Sequence, residues 1–550
     1  MKRSMRLTSA SCFVLLTGLG MLTACTDVPA EQRASEPAET TGAGAETLDP
    51  LSAVEEVNLV TGGGEVAAEV YPLVAVDDYL VLTVDLHATS VPEGAEWGVP
   101  TSRFEGDATL NGSSFLVEEA AALRLIEPGT QRIHLAATDD EAHAVGTASG
   151  MSGFYVPESG IRVQRVYAAP ESDDATLGLL LPGTYIDELP VVHGDVPAPY
   201  AEGDEDGADQ YEDYDITSAV GTIAEAPVLA LEGYSRQLEG AVEVIESTEK
   251  VEIRLSGDVL FATGSHDLGE GGADAISAAV ATIESYDSGV IDVVGHTDDV
   301  GDDASNQGLS ERRATAVAEA LTARVDTDAY DIEPSGKGET EPLVTNDSDE
   351  NRQLNRRVTL TLTSEKTTET EIPTSGDLPP FEDGPQKDGA EAEAATGFDR
   401  EVGDGYNYHV SAPAARRVDG MLVVTVEATR LDEGPAENLE TSLGLGGAAW
   451  SFRGMDTGYS SENAGFAPRL LVGSTATYPL DYLLGESAIE GSVEWRNASD
   501  PTASDYAAGG TTLRFVALYR DIPDATTLTL EQPFVLGTTP WRLTDIPIEN

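Results

Sequence analysis

The sequence predicts a multi-domain chain in which a central α/β unit lies between two β-rich regions of sandwich type. Three observations predict this. The chain has 550 residues, too many for one ordinary core, and 40% of them are hydrophobic, enough for several. Short segments with period-2 apolar alternation cluster towards both ends. Between them, strand-like and helix-like periods alternate, as in a compact α/β unit.

The N-terminus reads as a secretion signal over residues 1–24. Lys2, Arg3 and Arg6 precede an apolar stretch that is densest from Phe13 to Leu16. The two cysteines are Cys12 and Cys25. Leu22-Thr23-Ala24-Cys25 resembles a bacterial lipobox, which implies cleavage before Cys25 and lipidation of its thiol. A chain so processed has no second thiol, which excludes disulfides and thiol nucleophiles. No later apolar run approaches the roughly 20 residues that span a bilayer. One acyl chain anchors weakly, and the resemblance implies two or three on Cys25. Residues 25–50, rich in Ala, Glu, Thr and Gly, read as a flexible tether.

Residues 51–195 and 401–550 read as β-sandwich domains. Tyr79–Leu86 sets Leu80, Leu82, Val84 and Leu86 on one face, and Met421–Ala428 does the same with Leu422, Val424, Val426 and Ala428. Leu123–Thr130, "LRLIEPGT", parallels Pro468–Thr475, "PRLLVGST". Ile161–Leu179 parallels Leu513–Leu530, each with a Tyr, then a Pro, then Asp-Ala-Thr. Three matched segments in one order point to a duplicated domain. Many short strands with Gly/Pro turns suggest an immunoglobulin-like antiparallel sandwich. Two low-hydrophobicity stretches read as linkers, an acidic one at 196–248 and a Pro-containing one at 365–400. The acidic run Ala201–Asp215 lacks the Gly and the closing Glu of an EF-hand loop, so it reads as solvated rather than calcium-binding.

The central unit spans 249–364. Val251–Leu255 alternates as a strand, and Ile276, Ala279, Val280 and Ile283 have helical spacing. Gly289–Val294 is a strand. Glu311–Arg324 is helical through Ala314, Val317, Ala318 and Leu321, and Arg357–Leu362 is a closing strand.

The chemistry concentrates at Gly295–Ala314, "GHTDDVGDDASNQGLSERRA". Ser310 suits an N-cap, which makes Arg313 the third helical residue. A cation in a first turn opposes the helix dipole by about 0.3–1 kcal/mol. Two explanations stay open: an anion docked at the helix start, or pairing of Arg313 with loop aspartates. Asp298 follows the Gly289–Val294 strand. Beside Arg313 it would bind a zwitterion, taking an ammonium while the guanidinium takes a carboxylate.

The unit resembles the OmpA-like peptidoglycan-binding domain. The matching residues are Phe261, Ser265 and Leu268, then Gly295–Asp298, Gly301, Asn306, Leu309–Ser310 and Arg312–Ala314. Gly336–Pro342, "GKGETEP", and Asn355–Val358, "NRRV", complete the set. The resemblance implies a small α/β sandwich that grips the diaminopimelate zwitterion of peptidoglycan stems without cleaving them. It implies Asp298 and Arg313 as ligand residues, Asn306 as a pocket residue, and Thr297 and Leu309 as shaping residues. It also implies that one of Arg356 and Arg357 lines the site while the other is structural. His296 reads as structural, because no second metal ligand lies at useful spacing. Asp302 and Ser305 depart from the family pattern, and with Asp299 and Asp303 they make the loop unusually acidic. That favours either weaker binding of a free carboxylate or a preference for amidated stems.

With 98 Asp+Glu against 31 Lys+Arg, the formal charge of −67 argues against nucleic acid and against adsorption to anionic lipid. No G-x-S-x-G, S-x-x-K or H-E-x-x-H pattern marks an enzyme, and no cofactor or metal is expected. The sequence therefore points to a non-catalytic envelope lipoprotein that tethers membrane to wall. The alternative is an adhesin or assembly scaffold whose β-domains bind protein partners. The resemblance leans to an outer membrane, and the Gly/Ala/Asp-rich, Lys-poor composition to a Gram-positive cell membrane.

Overall fold

In the computed structural model the described residues are 48–549. Excepted are 93–97, 101–108, 111–112, 115–122, 142–143, 148–154, 173–174, 199–214, 248–249, 364–388, 403–404, 435–436, 440–449, 452–467, 487–492, 500–504, 534–539 and positions 62, 239 and 524. The signal segment, Cys25, nearly all of the tether and most of both linker runs lie outside the described residues. Among the described residues no helix is long and apolar enough to cross a membrane.

The two β-rich regions pair their strands in the same order. In the first, Glu55–Thr61, Gly64–Val70, Tyr79–Ser90, Leu73–Val76 and Val191–Val192 are successive neighbours, and Ile161–Ala168 also pairs with Tyr79–Ser90. In the last, the succession is Phe398–Val402, Tyr406–Ser411, Met421–Arg430, Ala415–Val418 and Trp541–Glu549, with Thr512–Arg520 on Met421–Arg430. The opposing layers agree too. Thr184–Ile186, Gly178–Leu181, Arg124–Glu127, Arg132–His134 and Val228–Ala230 correspond to Trp541–Glu549, Thr527–Gln532, Arg469–Val472, Thr475–Thr477 and Gly233–Gln237. Trp541–Glu549 serves both layers as one strand, where the first region uses two short ones.

Details repeat at matched positions. The Tyr167 hydroxyl donates to the Leu123 carbonyl at 2.7 Å, and the Tyr519 hydroxyl to the Pro468 carbonyl at 2.5 Å. Both phenols are fully buried, and burial pushes their pKa values up. Asp77 and Asp419 hold left-handed φ values of 52° and 39° in the matching hairpin turns. Short polar side chains tolerate that conformation best after glycine.

Each region buries an apolar layer between its sheets. Leu82, Val84, Val163 and Tyr167 meet Leu125, Leu179 and Leu181 in the first, and Leu422, Val424, Phe515 and Tyr519 meet Leu470, Leu528 and Leu530 in the last. Leu80, Leu82, Val84 and Leu86 share the core face as expected, and the other face of that strand is buried as well. Val81 and Val166 point outward from the first core and are covered by Ile216 and Val220. A further cluster joins the regions, with Ile126, Ile133, Leu180 and Tyr185 packed against Met421, Val423, Val516 and Leu518.

The 196–248 linker reading is too wide. Its end forms three strands, Val228–Ala230, Gly233–Gln237 and Val242–Glu246. The first completes a sheet of the N-terminal region, and the second completes the matching sheet of the C-terminal region. The third pairs with Lys250–Ser256 of the central unit. The acidity of the preceding run masks the apolar Leu231, Tyr234, Val242 and Val244, which are buried. Ala390–Glu393 and Phe398–Val402 are likewise strands inside the 365–400 stretch read as linker.

The central sheet runs Tyr330–Gly338, Gly289–His296, Arg357–Thr363, Lys250–Ser256, Val242–Glu246. The first pair is parallel and the rest antiparallel. Helices Glu270–Ile283 and Asp303–Thr322 bury Ile276, Ala279, Ile283, Ala314, Val317 and Leu321 against Ile253, Leu255, Ile291, Val293 and Leu360. Two glycines set how closely the second helix lies on the sheet. A Cβ at Gly295 would stand 2.2 Å from the Ser310 carbonyl oxygen, and one at Gly336 2.5 Å from the Glu311 nitrogen. No larger residue fits either position without moving the helix.

Candidate functional site

The helix that carries the site starts earlier than its apolar stripe indicates. It spans Asp303–Thr322, and its N-cap is Asp302, whose carboxylate accepts from Ser305 N at 3.1 Å and Ser305 Oγ at 2.7 Å. Ser310 is not the cap. It is fully buried, donates to the Gln307 carbonyl at 2.8 Å and accepts from Gly338 N at 2.9 Å. Arg313 therefore lies mid-helix, and the docked-anion reading at a helix start is withdrawn. Asp302 and Ser305, the departures in the loop, together form the cap. Asp299 pairs with Arg352 at 2.9 Å. Most of the loop's excess charge is thus committed locally.

Asp298 lies just beyond the end of the Gly289–His296 strand. The strand's register shifts between Gly295 and His296. Such irregularities redirect the residues that follow. Oδ2 of Asp298 accepts from Nη1 of Arg356 at 2.7 Å, and its side chain is 13% exposed. Oδ1 receives only a long 3.3 Å contact from Val300 N. Arg356 also donates Nε and Nη2 to Asp258 at 2.9 and 2.7 Å. These bonds, the one to Asp258 foremost, raise its pKa.

Arg313 is 4% exposed. Its Nε donates to the Ser265 carbonyl at 3.0 Å, and its guanidinium lies 5.1 Å from the Phe261 ring centre. Among the described residues no carboxylate pairs with it, and its two terminal nitrogens have no hydrogen-bond partner. Burial pulls its pKa down, the fields of Asp258 and Asp298 oppose that, and Arg356 adds to it. A largely buried guanidinium thus keeps its bidentate edge free of internal hydrogen bonds among the described residues.

The other expected residues divide. Asn306 is buried, and its amide nitrogen donates to the Asp298 carbonyl at 3.2 Å and to Glu339 at 2.5 Å. It fixes the backbone that presents Asp298. Thr297 is buried, and its Oγ1 has no hydrogen-bond partner. Leu309 is half-buried on the Arg313 face of the helix, one turn earlier. Arg357 points elsewhere. Arg356 is the C-cap of helix Asp349–Asn355 and Arg357 opens the next strand, and the Arg357 guanidinium reaches the carbonyls of Asn355 and Glu341 at 3.5 and 3.3 Å. Burial pushes its pKa down to about 10. His296 is buried beside it, and burial foremost, with Arg357, pushes the imidazole down to about 4.

Asp258 and Glu339 were not singled out from the sequence. Glu339 lies inside the matched Gly336–Pro342 motif without an assigned role, and Asp258 lies in none of the motifs, so it is their contacts that mark them. Elsewhere, Glu69, Asp85 and His87 bring one ligand atom each within 4.8 Å of one another. Asp85 is already bound by Arg162 at 2.6 Å through both oxygens, so its charge is satisfied without a metal.

The OmpA family matches residues 260–356. The outer-membrane lipoprotein YfiB of Pseudomonas aeruginosa is 32% identical over 114 residues, 21% of this chain and 67% of that protein. The chain belongs to the OmpA family through this domain. The probable lipoprotein YiaD of Escherichia coli K12 is 31% identical over 121 residues, and the chain spans 55% of its length. A solved structure titled as the cell wall anchor of the T6SS from Pseudomonas aeruginosa aligns with 23% of this chain and 89% of its own, at 30% identity and a TM-score of 0.21. The OmpA-like domain thus has curated relatives named as envelope lipoproteins, and every residue described above for the site lies within it or within two residues of its edge.

Proposed function

We propose that this chain is a non-catalytic envelope lipoprotein that binds peptidoglycan stem peptides through its OmpA-like domain and tethers membrane to wall. The observation that carries the reading is Arg313, a buried guanidinium within the field of Asp298 whose two terminal nitrogens have no hydrogen-bond partner among the described residues. Such a pair suits the ammonium and carboxylate of a diaminopimelate centre. Removing a buried carboxylate's partner is costly, so a guanidinium left without one gains most when a ligand supplies it. The lipobox at Cys25 supplies the membrane end, on an outer or a cytoplasmic membrane. Two attachments on one chain raise the effective concentration of each. The β-rich regions are read as duplicated, immunoglobulin-like sandwiches. Their shared core and the strands given by residues 228–246 to both make them a stiff mount for the wall-binding domain.

Co-sedimentation of the full chain with purified sacculi tests this. The wild type is retained, and Asp298→Ala and Arg313→Ala lose retention by about tenfold or more. Equal retention of all three sinks the site.

A further inference from the structure

Asp258 occupies the first turn of the short helix Gly257–Leu260, just ahead of Phe261. Its carboxylate accepts two N–H groups from Arg356, at 2.9 and 2.7 Å. The same guanidinium donates its third nitrogen to Oδ2 of Asp298 at 2.7 Å. A guanidinium is planar, with fixed donor directions, so gripping two nitrogens fixes where the third points. Asp298 is thereby held through one oxygen, and the other keeps only the 3.3 Å backbone contact from Val300.

Charge balance leads to the same place. Asp258 and Asp298 stand against Arg356 and Arg313, two charges of each sign, which suits a ligand that is itself a zwitterion. Without Asp258, Arg356 would have Asp298 as its sole carboxylate partner and would neutralise it. An incoming ammonium would then meet a site with one positive charge too many.

We propose that Asp258 is a positioning residue for the ammonium half of the site, holding Arg356 so that Asp298 keeps one oxygen and its negative charge for the ligand. The inference rests on the zwitterion reading given under the proposed function. Asp258 acts through Arg356 and Asp298, not by touching the ligand.

The test is calorimetric titration of the full chain with two probes. One is free diaminopimelate, and the other is its N,N′-diacetyl derivative, which keeps the carboxylates and lacks an ammonium. Asp258→Asn weakens diaminopimelate binding about tenfold and leaves the weak binding of the diacetyl probe unchanged. Asp258→Glu regains most of the lost affinity. The double variant Asp258→Asn/Asp298→Asn binds no more weakly than Asp298→Asn alone. Unchanged diaminopimelate binding by Asp258→Asn overturns the inference. So does an equal loss on both probes, which marks a general structural effect, and so do additive losses in the double variant. A wild type that binds neither probe overturns the zwitterion reading itself and this inference with it.

Discussion

A buried arginine pair of the C-terminal β-rich region and Arg313 of the OmpA-like domain are held in different ways. In the β-rich region Arg469 and Arg542 converge on one carboxylate, Glu531, at 2.6 and 2.7 Å, and all three side chains are 13% exposed or less. In the OmpA-like domain Arg313 is equally buried and has a carbonyl and an aromatic face instead. Desolvating a charge costs several kcal/mol per ion unless a partner compensates. The first region meets that cost inside the fold. The second gives Arg313 no carboxylate partner among the described residues. On the proposed reading, arginines paired as at Glu531 hold the fold together, whereas Arg313, whose terminal nitrogens have no hydrogen-bond partner among the described residues, is kept for a ligand.

Variants can sharpen or break this contrast. The largest effect is expected at Glu531→Ala, which removes the carboxylate that two buried guanidinium groups share and costs about 3–5 kcal/mol in denaturant unfolding, with sacculus binding unchanged at temperatures where the chain stays folded. Acid is next. His296 in the OmpA-like domain has a folded pKa of about 4 against an ordinary 6.5. Its contribution is fully present above pH 6.5 and is lost as pH falls towards 4, up to about 3 kcal/mol. His296→Gln should flatten that limb of a stability–pH curve. Tyr167→Phe and Tyr519→Phe each remove one buried hydrogen bond and should cost about 1 kcal/mol apiece. Unequal costs would break the equivalence of the two β-rich regions. The smallest change is expected at Arg313→Met, neutral within about 1 kcal/mol because no internal ion pair is lost. That variant should nonetheless abolish wall binding. A large loss of stability there would mean that Arg313 is architecture after all.

Periodicity made much of the fold legible. Strands at Tyr79, Val251, Gly289, Arg357 and Met421 follow apolar alternation, and the matched segments around Tyr167 and Tyr519 share their hydrogen bond. The strands of 228–246 were hidden because they are short and follow a strongly acidic run. The first two complete sheets through the distant strands Arg132–His134 and Thr475–Thr477, which no local pattern encodes. At the site, Asp298, Arg313 and Asn306 came from spaced motifs. The helix start did not, since both Asp302 and Ser310 have the chemistry of a cap. Only packing at Gly295 and Gly336 decides that Ser310 is buried against the sheet. Asp258 became visible through Arg356, and Arg357 was separated from Arg356 by its different hydrogen-bond partners.

The central claim is that Arg313 keeps its terminal nitrogens for a ligand carboxylate. Titration calorimetry of the full chain with diaminopimelate and with its carboxamide tests it most directly. The free acid is expected to bind at least about tenfold more tightly than the amide, and Arg313→Met should erase the difference. Equal affinity of the wild type for acid and amide would contradict the claim.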